Sequence, residues 1–161
     1  MENDFMPLVK TPYDDLTYNV IGAAMDVHNA LGPGHKESVY QKALSTRLAE
    51  KGISFVAEQG IEIYYAEQPV GLLFVDHLVE DVLVVEAKAF AHMLTDEETA
   101  QVITYLAALG KPVGLLLNFG RKRLEHKRIF APTTVDAWHD RIQRYLWQPM
   151  PDQTRPGAGR D

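Results

Sequence analysis

The chain contains no cysteine, which excludes disulfides, thiolate metal sites, iron–sulfur clusters and cysteine nucleophiles. It has no apolar run of the roughly 18 residues that a membrane span needs. Its N-terminus, Met1-Glu2-Asn3-Asp4, carries two acidic residues and lacks the layout of a signal peptide. The absence of cysteine fits a reducing compartment. We therefore expect a cytoplasmic protein with no membrane segment.

Basic residues are also fewer than acidic ones. The chain has 16 Lys and Arg and 22 Asp and Glu, which gives a net charge of −6. A protein that coats nucleic acid with its whole surface is usually basic, so that role is disfavoured, although a local basic patch stays open.

The length of 161 residues suits one domain, and 46% apolar with 24% charged residues is a normal globular balance. We expect a leader over residues 1–13 and a single α/β domain over residues 14–131. A C-terminal helix is expected within residues 132–147. Residues 148–161 contain three prolines and two glycines and are expected to form a flexible tail.

Helical spacing of apolar residues predicts three helices, and short runs rich in Val, Ile, Phe and Tyr predict strands. Thr95 followed by Glu98 is a capping-box signature for the third helix, and the buried stripe of the second is expected to include Val39 and Leu44. The predicted helices span residues 14–31, 36–51 and 95–109. The predicted strands span residues 53–58, 61–65, 72–79, 83–89 and 112–119, with a last edge strand ending near residue 130.

The lengths of the connections predict how these strands pair. Short breaks between the first four strands favour antiparallel hairpins. The strand, helix and strand over residues 83–119 predict a crossover unit whose end strands are parallel.

The strand over residues 83–89 carries the strongest chemical signal. Side chains alternate along a strand, so Glu86 and Lys88 share a face. Asp76 lies among apolar residues of the preceding strand, where an unpaired carboxylate is costly. A hairpin between the two strands leaves two registers open, with Asp76 opposite either Val85 or Glu86. The second register would bring the two carboxylates together.

Adjacent carboxylates repel each other, and a hard divalent cation such as Mg²⁺ or Mn²⁺ relieves that repulsion. Such a site suits phosphodiester hydrolysis, because the cation polarises the phosphate and helps to ionise a water. Lys88 would hold that water or stabilise the charge that develops on phosphorus. The alternative is an ion-pair cluster of Asp76, Glu86 and Lys88 that only satisfies itself.

Asp76 followed by Glu86-x-Lys88 resembles the signature of the PD-(D/E)xK nuclease superfamily. This resemblance implies a restriction-endonuclease-like fold, with a small mixed sheet flanked by helices in a single domain. Carried over by position, Asp76 and Glu86 match the metal-binding carboxylates and Lys88 matches the catalytic lysine.

The first two helices narrow the resemblance to the GxxExxY family, whose naming motif falls on Gly34, Glu37 and Tyr40. The similarity continues through Leu106 and the segment over residues 114–120, so that it covers roughly residues 16–131.

The resemblance also implies roles for further polar residues. Glu37 matches an acidic residue that reaches the metal in many such nucleases, directly or through water. Gln101 and Tyr105 share a face of the third helix, which often supplies polar groups to the site. Tyr40 is expected either to hydrogen-bond a site carboxylate or to be a core tyrosine. The implied catalytic residues are Asp76, Glu86, Lys88, Glu37 and Gln101, the implied metal ligands Asp76, Glu86 and Glu37, and the supporting residues Tyr40 and Tyr105.

One basic segment could receive a polyanion. Residues 121–128 carry five basic side chains against one glutamate. They either contact a nucleic-acid backbone or form a solvated edge strand whose charges block edge-to-edge pairing. The candidate nucleic-acid contacts are Arg121, Lys122, Arg123, Lys127 and Arg128.

The histidines do not indicate a metal centre. His28 lies near a helix C-terminus, where capping or packing is the expected role. His35 and His92 have no partner at metal-ligand spacing, so a zinc site is not expected. His77 is expected to face away from the side of the strand that carries Asp76, in packing or at the surface.

The leading hypothesis is a Mg²⁺- or Mn²⁺-dependent nuclease that hydrolyses DNA or RNA. A homodimer of the chain is possible. A second hypothesis is a binding or accessory module that keeps the nuclease fold without cleaving. A third is hydrolysis of a small phosphorylated molecule.

Overall fold

The structure is a computed structural model that describes residues 13–131. The predicted C-terminal helix, the tail and nearly all of the predicted leader lie outside the described residues. Within them, three helices and five strands follow one another: α1 (Asp14–Leu31), α2 (Glu37–Glu50), β1 (Phe55–Tyr65), β2 (Gln68–Val79), β3 (Leu83–Lys88), α3 (Asp96–Leu109), β4 (Val113–Asn118) and β5 (Glu125–Phe130).

The helix ends follow local sequence signals. α1 closes at Gly32, which has a φ of 67°. At the start of α3, Thr95 accepts a hydrogen bond from the Glu97 N–H, and the Glu98 carboxylate accepts one from the Thr95 N–H, so the predicted capping box is confirmed. Gly110 ends α3 in the left-handed conformation, which glycine adopts at low cost.

The β1–β2 hairpin is longer than predicted. The expected break at Gly60 is wrong, because Gly60 stays in register opposite Phe74, whose ring would lie 3.5 Å from a Cβ added there. β2 begins at Gln68 rather than at residue 72. Ala66 and Glu67 have φ of 47° and 65°, which fits a two-residue hairpin turn.

The five strands form one mixed sheet in the order β1-β2-β3-β4-β5. Only β3 and β4 are parallel among these pairs, and the other three pairs are antiparallel. The predicted crossover unit is therefore confirmed, and so is the restriction-endonuclease-like α/β architecture. Because parallel strands end at the same edge of a sheet, Lys88 and Asn118 lie side by side.

Apolar cores lie on both faces of the sheet. One core joins α1 and α2 to the odd-numbered residues of β3, and the other packs α3 against Val84 and Leu116. The expected burial of Val39 is wrong, because that side chain is 38% exposed. The face of α2 that packs on the sheet carries Tyr40 and Leu44 instead. No helix in residues 13–131 is long and apolar enough to cross a membrane.

Candidate active site

Asp76 and Glu86 meet where the β2–β3 ladder ends. The last regular pair is His77 with Val85, so Asp76 faces Glu86 in the second of the two predicted registers. The Asp76 N–H donates to Glu86 Oε1 at 3.0 Å, and the Ala87 N–H donates to Asp76 Oδ2 at 2.8 Å. Each carboxylate therefore uses one oxygen to anchor itself to the opposite strand, and its second oxygen is the natural one to offer to a cation.

Burial makes ionisation of this pair costly. Glu86 is only 3% exposed. That burial, together with the neighbouring charge of Asp76, raises the pKa of Glu86 to about 8. Burial also raises the pKa of Asp76, although the hydrogen bond from Ala87 opposes the rise. At neutral pH the pair accordingly resists carrying two negative charges.

Lys88 contributes a nearby positive charge without closing an ion pair. It follows Glu86 on the same face of β3, and its field lowers the pKa of Glu86 and of Asp76. None of the ion pairs among residues 13–131 joins Lys88 to either carboxylate. Asp76, Glu86 and Lys88 therefore do not form the ion-pair cluster that was the alternative to a metal site.

The start of α2 brings Glu37 towards the same place. Burial raises the pKa of this half-buried carboxyl, with Lys88 opposing the rise and Asp76 adding to it. Gln41, one turn later, donates to Glu37 Oε1 at 3.2 Å, and its side chain also lowers the pKa of Asp76. Gln41 is not among the predicted site residues. Its i+4 spacing from Glu37 is the signal that could have found it.

The predicted face of α3 points at the carboxylates. Burial raises the pKa of Tyr105 to about 12, and the charges of Glu86 and Asp76 add to the rise. The side chain of Gln101, one turn earlier on α3, opposes this rise in pKa. Tyr105 therefore keeps its proton at neutral pH and can donate it in a hydrogen bond.

The donor set suits a hard cation that keeps much of its water. No group of three or more Asp, Glu or His in the described part of the chain is placed to hold a metal ion together. Asp76 and Glu86 form a two-carboxylate set, with Glu37 nearby rather than joined to it. Mg²⁺ is commonly held by one or two carboxylates, with water and substrate phosphate oxygens completing the shell. The residues fit that kind of cation.

Tyr40 serves the loop before α2 rather than a carboxylate. Its hydroxyl donates to the Gly32 carbonyl at 2.5 Å and accepts from the His35 N–H at 3.1 Å. Its fully buried ring stacks on Phe119 with 4.8 Å between the centroids. Tyr40 thus ties the turn between α1 and α2 to the core, and Glu37 follows that turn directly.

The remaining histidines lie outside the carboxylate cluster. His28 is buried, and its Nε2 donates to the Arg121 carbonyl at 2.8 Å rather than capping its own helix. His77 is 1% exposed and hydrogen-bonds Ser45 Oγ at 2.7 Å, so it packs against α2 and does not reach the surface. Burial lowers its pKa to about 4. It stays neutral at pH 7.

The two basic residues of β5 do not form a common patch. Neighbouring side chains of a strand face opposite sides of the sheet. Lys127 donates to Thr99 Oγ1 at 3.0 Å on the α3 side, and Arg128 pairs with Asp14 on the α1 side. Both cations are thus engaged within the fold.

The loop after β4 holds the other three basic residues. Lys122 and Arg123 are exposed and Arg121 is half-buried. The loop leaves the sheet at the same edge as Lys88. These three side chains therefore lie in the loop at the edge of the sheet where Lys88 ends β3.

Asn118, which is not among the predicted site residues, holds the chain that follows β3 in place. Its fully buried side chain accepts from the N–H groups of Phe90 at 2.9 Å and Gly120 at 3.1 Å. It donates to the His92 carbonyl at 3.0 Å and to Glu125 at 3.2 Å. A single polar residue at the end of an apolar strand is the signal that could have found it.

Comparisons with known proteins agree with this architecture. A model of the PD-(D/E)XK nuclease superfamily matches residues 14–129, more than two thirds of the chain. No curated protein matches significantly. The solved structure titled "Crystal structure of SSO0001" matches with a TM-score of 0.52 and 14% identity. The match covers 81% of this chain and 66% of that one, so this chain spans just under two thirds of its length and shares its fold.

Proposed function

Because the chain belongs to the PD-(D/E)XK nuclease superfamily, we propose that it is a metal-dependent phosphodiesterase that hydrolyses DNA or RNA. The observation that carries this proposal is Glu86, a carboxylate 3% exposed beside Asp76 with no ion pair among the described residues. Neighbouring carboxylates, here the buried Glu86 and the half-buried Asp76, repel each other, and a divalent cation would relieve that repulsion. The narrower resemblance to GxxExxY proteins stays a prediction.

Asp76 and Glu86 would hold the Mg²⁺ or Mn²⁺ ion. When bound, the cation supplies a polarised phosphate oxygen and a water of lowered pKa. Glu37 lies within the field of both Asp76 and Lys88, and we assign it to hold a water at the edge of the site. Gln41 donates to Glu37 and acts on the pKa of Asp76, so it would hold the two carboxylates relative to each other.

Lys88 and α3 would act on the phosphate and the attacking water. Lys88 lies beyond ion-pair distance of the carboxylates, so its ammonium group is free to orient the water or to face the charge that develops on phosphorus. Tyr105 remains protonated and offers a hydrogen-bond donor beside the site. Gln101, one turn before Tyr105 on α3 and acting on its pKa, would position the hydroxyl of Tyr105.

Nucleic acid would approach along the edge where β3 and β4 end. Arg121, Lys122 and Arg123 lie in the loop at that edge, and basic side chains there would neutralise phosphates flanking the scissile one. Lys127 and Arg128 contribute less in this proposal, because both already have partners within the fold.

The test is a cleavage assay with labelled single-stranded and duplex DNA and RNA in Mg²⁺ or Mn²⁺. We expect metal-dependent cleavage that Asp76→Asn and Lys88→Met each reduce by at least about 100-fold, the scale of one lost electrostatic contact to a transition state. Glu67→Gln, in the exposed β1–β2 turn, is the matched control and should cut normally. Cleavage that survives in both site variants would overturn the proposal.

The same panel separates the other two functions. Binding of an oligomer without cleavage in any metal would favour the accessory module. Hydrolysis of mononucleotides with intact polymers would favour a small phosphorylated substrate.

A further inference from the structure

A cavity of about 410 Å³ opens beside Lys88, between α3 and the chain that follows β3. Lys88 and Tyr105 line it, and the charges of Glu86 and Asp76 act on Tyr105, so a phosphate held at the two carboxylates would lie close to this cavity. The side chains that define its character are Lys88, Phe90, Glu97, Gln101, Thr104 and Tyr105.

The size of the cavity suits one small ligand group. Protein pockets that enclose small molecules measure about 300–1,000 Å³, and this cavity is near the lower limit. It can receive a single nucleobase, whereas a stacked and paired duplex would have to remain outside.

The cavity walls match the surface of a base. Phe90 stacks on His92 with 4.7 Å between centroids, which braces its ring at the rim. Aromatic rings stack on any base, because every base has a π-face. Gln101 offers both a donor and an acceptor. The Thr104 hydroxyl donates to the Ala100 carbonyl at 3.0 Å, which leaves its oxygen as an acceptor.

The charges of the cavity set the orientation of the ligand. Lys88 is the one cation among the lining residues. Glu97 and Glu98 line the end at the start of α3, and Glu98 is held there by the capping box with Thr95. This acidic end would repel a second phosphate and would attract the amino groups of a base. The phosphate therefore belongs at the Lys88 end and the base deeper in the cavity.

We propose that this cavity holds the unpaired base of the nucleotide whose phosphate lies at Asp76 and Glu86, so that the substrate is single-stranded nucleic acid. This inference rests on the proposed function. Reading a base in a pocket requires that the base be unpaired, as it is in a single strand. DNA and RNA share this chemistry.

The test compares two kinds of eight-nucleotide oligomer in Ca²⁺, by fluorescence anisotropy of the full chain. One oligomer carries cytosine bases, each with an exocyclic amino group, on a DNA or RNA backbone, and the other is abasic with the same phosphates. We expect the wild type to bind the base-carrying oligomer about 5- to 100-fold more tightly, the range for stacking of one base. A blunt duplex should bind more weakly than the single strand.

Thr104→Leu fills the cavity and should reduce that preference at least about fivefold, the smallest effect of one stacked base. Thr46→Leu is the matched control. Its hydroxyl makes the same bond to a carbonyl four residues earlier, Lys42, on an exposed face of α2 outside the cavity. Phe90→Leu removes the ring and should also reduce the preference, which keeps the test open if Thr104→Leu fails to fold.

An unchanged preference in folded Thr104→Leu, or tighter binding of the duplex than of the single strand, would overturn this inference. Failure of the proposed function would look different. It would be the absence of Asp76-dependent Mn²⁺ binding, which is measured without nucleic acid and does not involve the cavity. If Thr104→Leu loses the preference for base-carrying oligomers with RNA but not with DNA, or the reverse, the result would support the inference and identify the polymer.

Discussion

Replacing Glu86 by glutamine should stabilise the metal-free protein at neutral pH. The fold raises the pKa of Glu86 from its ordinary 4.5 to about 8. Between these two values the folded protein binds more protons than the unfolded chain, so stability falls as pH rises. Glutamine cannot ionise, and it retains an oxygen that can accept the hydrogen bond from the Asp76 N–H.

The magnitude follows from that pKa difference. Each pH unit in the window costs about 1.4 kcal/mol of unfolding free energy. The advantage of Glu86→Gln should therefore be small at pH 4.5 and grow to about 3 kcal/mol at pH 7. It should stop growing above pH 8. On thermal melts, 3 kcal/mol corresponds to a rise in Tm of about 6–12 °C for a chain of this size.

The assay is urea unfolding in EDTA at four pH values from 5 to 8, for wild type, Glu86→Gln and the exposed control Glu67→Gln. The difference between proteins is the readout, because His77 acts in the opposite direction. Its pKa is lowered to about 4, so its contribution to stability is lost as pH falls from 6.5 to 4. That contribution is common to all three proteins and cancels.

A flat difference between wild type and Glu86→Gln from pH 5 to 8 would refute this reasoning. It would mean that Glu86 ionises normally, with Lys88 stabilising its charge in the folded protein. A destabilised variant at pH 8 would refute it more strongly, because the carboxylate would then be a structural ligand of its neighbours.

Three further substitutions test the parts that position the site. Asn118→Ala should cost at least about 2 kcal/mol in urea unfolding, because it removes four hydrogen bonds made by a fully buried side chain; an unchanged midpoint would contradict this. Gly120→Ala should destabilise the fold by about 1–3 kcal/mol or more, since its Cβ would lie 2.4 Å from the Phe90 carbonyl oxygen; normal stability would show that the loop can shift to make room for the methyl group at no cost. Tyr40→Phe should cost about 1 kcal/mol while retaining the stack on Phe119, and a neutral effect by thermal melting would show that water replaces the lost hydroxyl.

The parts of the site that follow strand geometry could be predicted from the sequence. Alternation along β3 places Glu86 and Lys88 on one face, and the short turn after Val79 leaves only two registers for the opposite strand. The capping box at Thr95 depends on four consecutive residues. Each of these features is local or joins neighbouring strands through a short turn.

The parts that depend on distant packing could not be predicted. Asn118 hydrogen-bonds Phe90 and His92, which lie 28 and 26 residues earlier in the chain. The periodicity of a sequence does not predict contacts over that separation. Gly60 stays within β1 because it pairs with Phe74 across the hairpin, and glycine by itself indicates a break. Gln41 is a polar residue on a mixed helix face. It comes to lie near both Glu37 and Asp76 only when α2 packs beside the end of β2.

The most direct test of the account is titration calorimetry of the wild-type protein with Mn²⁺ beside Asp76→Asn and the exposed-turn control Asp81→Asn. We predict one Asp76-dependent binding event in wild type and control, with proton release at pH 7 because Glu86, with its pKa near 8, must lose its proton. Equal binding by all three proteins, or no binding at millimolar Mn²⁺, would contradict a metal site at Asp76 and Glu86.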